Sequence, residues 1–153
     1  MERHRAVNIL LVEDNRDHAD LTRRALKEGN LLNEIFWVKD GEEALDFLFR
    51  RGRYTDPEAA PRPGLILLDI KLPKVGGHEV LQQVKNDEEL RSIPVVILTT
   101  SDDERDVKAC YELGANTYIQ KPVDFDGLIA AIRQLKEYWF EIALLPKGAD
   151  NDG

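Results

Sequence analysis

The chain has 153 residues and a net charge of −8, from 29 acidic against 21 basic side chains. That length suits one domain with a proper core, and the acidic balance leaves no basic stripe for a nucleic acid. No apolar run is long enough to span a membrane, the charged start Met1-Glu2-Arg3-His4-Arg5 lacks a cleavage-site pattern, and the lone Cys110 excludes an internal disulfide, so a cytoplasmic protein is expected.

In chain order, the apolar run at residues 7–12 reads as a buried strand that ends on Glu13-Asp14. Asn15 can cap a helix carrying Ala19, Leu21, Ala25 and Leu26, stopped by Gly29. A second strand is expected at Glu34–Val38, and Asp40 with Glu43 reads as a capping box for a helix bearing Ala44, Leu45 and Leu48. Residues 50–64, rich in Pro, Gly, Arg and acids, read as a surface loop. The third strand, Leu65–Leu68, ends on Asp69, and Val80, Leu81 and Val84 mark a helix ending near Asn86. The fourth strand, at residues 95–98, runs into Thr99. Ser101 with Glu104 reads as a second capping box, before Val107, Cys110, Leu113 and Gly114. The fifth strand, at 118–120, is followed by Lys121-Pro122. Asp124 opens the last helix, whose apolar stripe is Phe125, Leu128, Ile129, Ile132, Leu135 and Trp139. No internal repeat is present. The domain is read as residues 6–146, with flexible termini at 1–5 and 147–153.

Short apolar strands alternating with helices predict a parallel sheet covered on both faces. Ligands of such sheets bind at the carboxyl ends of the strands. Glu13, Asp14, Asp69, Thr99 and Lys121 all follow strands, so they should converge there. Each residue alone has a plain structural explanation. Asp69 can cap the next turn, Thr99 has ordinary strand propensity, and a Lys after a strand is usually solvated. Together, clustered carboxylates repel unless a cation joins them. Mg²⁺, a hard cation that takes oxygen ligands and a phosphate, is the natural choice, or Mn²⁺.

The order of Glu13-Asp14, Asp69, Thr99 and Lys121-Pro122 resembles the receiver domain of two-component response regulators, across about residues 6 to 138. The resemblance implies a flavodoxin-like, doubly wound sheet of five parallel strands in the order 2-1-3-4-5 with five helices. It implies that Asp69 accepts a phosphoryl group from a sensor histidine kinase. Asp14 and Asp69 would bind the metal directly, Glu13 through water, and the Lys71 backbone carbonyl would add a ligand. Thr99 would be the switch hydroxyl and Tyr118 the aromatic switch, although Tyr118 also reads as a half-buried strand tyrosine. Pro122 would follow a cis bond that aims Lys121 at the acids. Phosphorylation would then reshape the face of the fourth helix, fifth strand and fifth helix. On this reading the chain is a phosphoacceptor that assists its own phosphorylation, not an enzyme, with no output domain.

Gly76 stands where the family often has Asp, which puts the cap of the third helix in doubt. Lys71 and Ser101 occupy variable positions beside the path of the hydrolytic water. A charged Lys71 cannot accept a proton from that water, so slow self-dephosphorylation is expected. His4, His18 and His78 lack metal-ligand spacing, and His18 and His78 read as surface residues. The segment 138–146 is apolar around most of a helix, so Tyr138, Trp139, Phe140 and Leu144 are candidate interface residues. The long loop and aromatic tail resemble the small regulators paired with bacterial phytochromes. That would imply a bacteriophytochrome kinase as partner and a homodimer through the fourth helix, fifth strand, fifth helix and tail. Competing readings are a phosphate shuttle or sink, an aspartyl-phosphate phosphatase, a flavin or nucleotide binder, and a degenerate receiver. The phosphatase signature Asp-x-Asp is absent after the first strand, Glu13-Asp14 would repel a bare phosphate, and no key receiver residue is lost.

Overall fold

The computed structural model describes residues 7–28 and 34–142. Its strands are β1 (Asn8–Val12), β2 (Glu34–Val38), β3 (Leu65–Leu68), β4 (Val95–Thr99) and β5 (Thr117–Gln120). The helices are α1 (Arg16–Leu26), α2 (Gly41–Phe49), α3 (Gly77–Lys85), α4 (Glu104–Glu112) and α5 (Phe125–Lys136). All strand pairs are parallel, in the order β2-β1-β3-β4-β5. The parallel sheet covered on both faces is the one expected from the alternation of strands and helices, and its flavodoxin-like, doubly wound order is the one implied by the resemblance.

Strand periodicity divides the core in two. Leu10, Val12, Ile66, Leu68, Val95 and Ile97 face one side, under Leu45 and Leu48 of α2, Val80, Leu81 and Val84 of α3 and Cys110 of α4. Ile9, Leu11, Leu65, Leu67, Val96 and Leu98 face the other, under Ala19, Ala25 and Leu26 of α1 and Leu128, Ile132 and Leu135 of α5. Every residue of β3 is buried, as a central strand covered on both faces requires. Each fully buried Leu or Ile contributes roughly 1.5–3 kcal/mol of transfer free energy.

The helix starts follow their caps. Asn15 Oδ1 accepts the His18 N–H at 3.0 Å, Asp40 Oδ1 accepts the Glu43 N–H at 2.7 Å, and Asp124 accepts the Gly127 N–H at 2.9 Å. The box expected from Ser101 and Glu104 does not form. Asp103 caps α4 by accepting the Arg105 N–H, because the Ser101 hydroxyl instead donates to Asp106 at 2.6 Å. Helix α3 starts at Gly76 without a side-chain cap, as the missing aspartate predicted. Gly77 packs α3 directly against the end of β3: a Cβ there would lie 2.4 Å from Ile70 Cα and 2.5 Å from the Asp69 carbonyl oxygen.

Residues 50–64 run over the surface as expected, with 51–53 and 55–59 exposed, and are held there by specific contacts. They contain a 3-10 turn, Gly52–Tyr54, whose Tyr54 ring lies 5.2 Å from that of Phe47, and Ala60 is buried. Arg62 donates to the Leu48 carbonyl at 2.6 Å, closing the free end of α2. Gly29, the expected stop of α1, lies outside the described residues, as do both termini and Leu144. Helix α5 continues into a π-helical turn, Glu137–Ile142. There Trp139 packs against the α1/α5 side of the core while Tyr138 is half exposed; the Phe140 side chain lies outside the description. Phe125, expected on the buried stripe of α5, is instead exposed on its first turn.

Candidate functional site at the carboxyl edge of the sheet

The backbone ladder runs one residue beyond three of the strands and so fixes the direction of the site residues. Glu13 N–H donates to Val38 O, Asp69 N–H to Val12 O at 3.0 Å, and Lys121 N–H to Thr99 O at 2.6 Å. Carboxylate oxygens of Glu13, Asp14 and Asp69 lie within 4.8 Å of one another. Glu13 and Asp69 are buried; Asp14 is exposed and opens the site to solvent. The Trp37 indole donates to the Glu13 carbonyl at 2.7 Å and anchors the end of β1 against β2.

Lys121 reaches into this cluster. Its ammonium, 3% exposed as a residue, lies 2.7 Å from Glu13 Oε1, 3.2 Å from Asp69 Oδ2 and 3.0 Å from His18 Nδ1. The Lys121–Pro122 bond is trans, and no peptide bond among the described residues is cis, so the expected cis proline is corrected. The ladder bond from Lys121 to Thr99 and the three acceptors around its ammonium aim the side chain without a cis link.

Burial pushes the Glu13 carboxyl above its ordinary range, with Lys121 pulling the other way. Three carboxylates against one ammonium leave the ionised cluster with two negative charges. A compact oxygen cluster with that charge fits a divalent cation. Asp69 Oδ1 also accepts the Lys71 N–H at 3.0 Å, which places the Lys71 backbone beside the cluster while its side chain is exposed.

Thr99 is fully buried, and its Oγ1 has no hydrogen-bond partner among the described residues. Such a hydroxyl costs about 1–3 kcal/mol when left unpaired. Thr99 ends β4, which pairs with the strand that Asp69 follows. Thr100 points the other way and is exposed, as strand alternation predicted. Tyr118 is half-buried, and its hydroxyl donates to the Ser101 carbonyl at 2.9 Å. The loop after β4 is therefore held from β5 by Tyr118 and from α4 by Asp106. Asp106 also has His78 Nε2 at 3.7 Å.

His18 is the residue sequence reasoning missed. It is not a plain surface residue of α1 but half-buried, touching a lysine 103 positions away. Burial and the adjacent Lys121 ammonium hold its pKa below the ordinary value.

Residues 9–133 match the family described as response regulator receiver domain. The chain is 45% identical over 131 residues to the probable methanogenesis regulatory protein FilR2 of Methanothrix harundinacea, covering 86% of this chain and 82% of that one. It superposes on the Mn²⁺-bound form of response regulator Rcp1 with a TM-score of 0.86 at 41% identity, covering 92% and 99% of the two chains; that regulator comes from Synechocystis. The phosphorylated cyanobacterial phytochrome response regulator RcpA gives a TM-score of 0.89 at 40% identity, covering 94% and 100%.

Proposed function

The chain belongs to the response regulator receiver domain family, and from that premise we propose that it is a signalling switch that accepts a phosphoryl group on Asp69 from a sensor histidine kinase. The observation that carries this reading is the buried Lys121 ammonium shared by Asp69 and Glu13, two members of a three-carboxylate cluster completed by Asp14. A carboxylate oxygen of Asp69 attacks phosphorus, the P–N bond to the donor histidine breaks, and its electron pair stays on the imidazole. Glu13, Asp14, Asp69 and the Lys71 carbonyl would hold Mg²⁺ or Mn²⁺, which supplies positive charge against the transferring oxygens. Lys121 pairs with a phosphoryl oxygen, and the unpartnered Thr99 hydroxyl donates to another.

Drawing Thr99 toward the phosphoryl group pulls on the loop that follows it. Tyr118 and Asp106 are the contacts that loop must adjust, so the change reaches the face of α4, β5 and α5. Output passes through protein contacts at that face. A homodimer through it and the tail is supported by the exposed Tyr138 ring; Trp139, packed on the core, is a poorer probe. Similarity to a phytochrome response regulator supports a bacteriophytochrome as the kinase. A cytoplasmic location accords with the absence, among the described residues, of a helix long and apolar enough to cross a membrane.

The test is intact mass after incubation with Mg²⁺ and acetyl phosphate, beside Asp69→Asn. Gain of one phosphoryl mass in the parent alone is expected. Equal gain in both proteins would move the acceptor away from Asp69.

A further inference from the structure

Four hydrogen bonds close a ring around the Lys121 ammonium. Asn15 N–H donates to Glu13 Oε2 at 3.0 Å, His18 N–H donates to Asn15 Oδ1 at 3.0 Å, and Lys121 donates both to His18 Nδ1 at 3.0 Å and to Glu13 Oε1 at 2.7 Å. The first turn of α1 is thereby wrapped around the lysine. With Asp69 Oδ2 at 3.2 Å, all three N–H groups of the ammonium have acceptors.

The three acceptors are not equivalent. Glu13 and Asp69 are buried carboxylates, whereas His18 is half-buried and stands on the solvent side. A contact of 3.0 Å with an ammonium needs the Nδ1 lone pair, so the imidazole is neutral with its proton on Nε2. His18 is therefore the one uncharged acceptor and the least buried of the three, so it is the acceptor that gives way most readily when a phosphoryl oxygen needs an N–H of the ammonium.

Resting on the Asp69 reading above, we propose that His18 is a positioning residue that holds the third N–H of Lys121 until a phosphoryl oxygen takes its place. The exchange replaces a neutral acceptor by a dianionic one, which adds charge–charge attraction to a bond already assisted by the ammonium. Lys121 is kept extended and paired before transfer, and the imidazole is released when transfer occurs. No covalent bond to His18 forms at any stage.

The experiment is ¹⁵N NMR of the full chain, labelled at histidine and lysine, with His18→Leu alongside. In the unphosphorylated protein the His18 Nδ1 resonance should be of the unprotonated, pyridine type, and His18→Leu should shift the Lys121 Nζ resonance. Beryllium fluoride with Mg²⁺, which places a phosphoryl-like group on a carboxylate, should move His18 Nδ1. It should also bring Lys121 Nζ to the same position in both proteins. A proton on Nδ1, or an Nζ resonance unmoved by His18→Leu, overturns the contact. If the Thr99 and Lys121 backbone amides shift with beryllium fluoride while His18 Nδ1 does not, the exchange is wrong and the Asp69 reading stands. If those amides do not shift either, the Asp69 reading falls and takes the exchange with it.

Discussion

Replacing Thr99 by Val should make the metal-free protein more stable and the switch worse. The two side chains have nearly the same shape, and the site is fully buried, so the substitution removes a hydroxyl and little else. Because Oγ1 lacks a partner, its removal recovers the cost of burying an unpaired polar group, about 1–3 kcal/mol. In a domain of this size that is about 2–4 °C of melting temperature per kcal/mol. The same hydroxyl would donate to an anionic phosphoryl oxygen, a bond worth about 1.5–3 kcal/mol. Its loss should weaken binding of beryllium fluoride roughly 10- to 150-fold. Stability is read from urea unfolding without metal, and binding from titration with Mg²⁺ present. A less stable Thr99→Val protein would mean that the hydroxyl is already paired in solution, and the reasoning would fail at its first step.

Lys121→Met leaves Glu13 and Asp69 buried without their counter-ion, which should cost about 3–5 kcal/mol in urea unfolding and be partly restored by millimolar Mg²⁺; no loss would mean the ammonium is not neutralising them. Glu13 has a folded pKa raised above its ordinary 4.5, so its contribution to metal-free stability is fully present below that value and lost as pH rises through the folded pKa. Parent stability measured against Glu13→Gln should therefore fall from acidic toward neutral pH, and a gap that does not change with pH would refute this. Lys71→Asn should speed phosphate loss from the phosphorylated protein, since an amide can accept from the attacking water where an ammonium cannot; an unchanged lifetime removes that role. Tyr138→Glu should shift sedimentation from dimer toward monomer, and a monomeric parent would end the interface proposal.

The strands were legible because β1, β3 and β4 are buried on both faces and read as unbroken apolar runs. The placement of Glu13, Asp69, Thr99 and Lys121 followed from one rule about parallel sheets. Contacts made at long range were not legible. Ser101 and Glu104 have the spacing of a capping box, but nothing local reveals that Asp106 takes the hydroxyl first. His18 has a plain helical context, and its partner is on the far side of the chain. Phe125 fits the apolar stripe of α5 by period, yet at the first helical position it lies past the edge of the core. The cis bond expected at Pro122 came from resemblance, and here a ladder hydrogen bond orients Lys121 instead.

The tight seat of Gly77 gives the site a stiff side and a compliant side. Behind Asp69, backbone meets backbone with no room for even a methyl group, so the start of α3 acts as an anvil. Beyond Thr99, the next loop is tethered through side-chain hydrogen bonds that can break singly. On the proposed reading, a group added at Asp69 would meet this stiff wall on the α3 side, and the loop toward α4, tethered by single hydrogen bonds, would be the softer neighbour to yield.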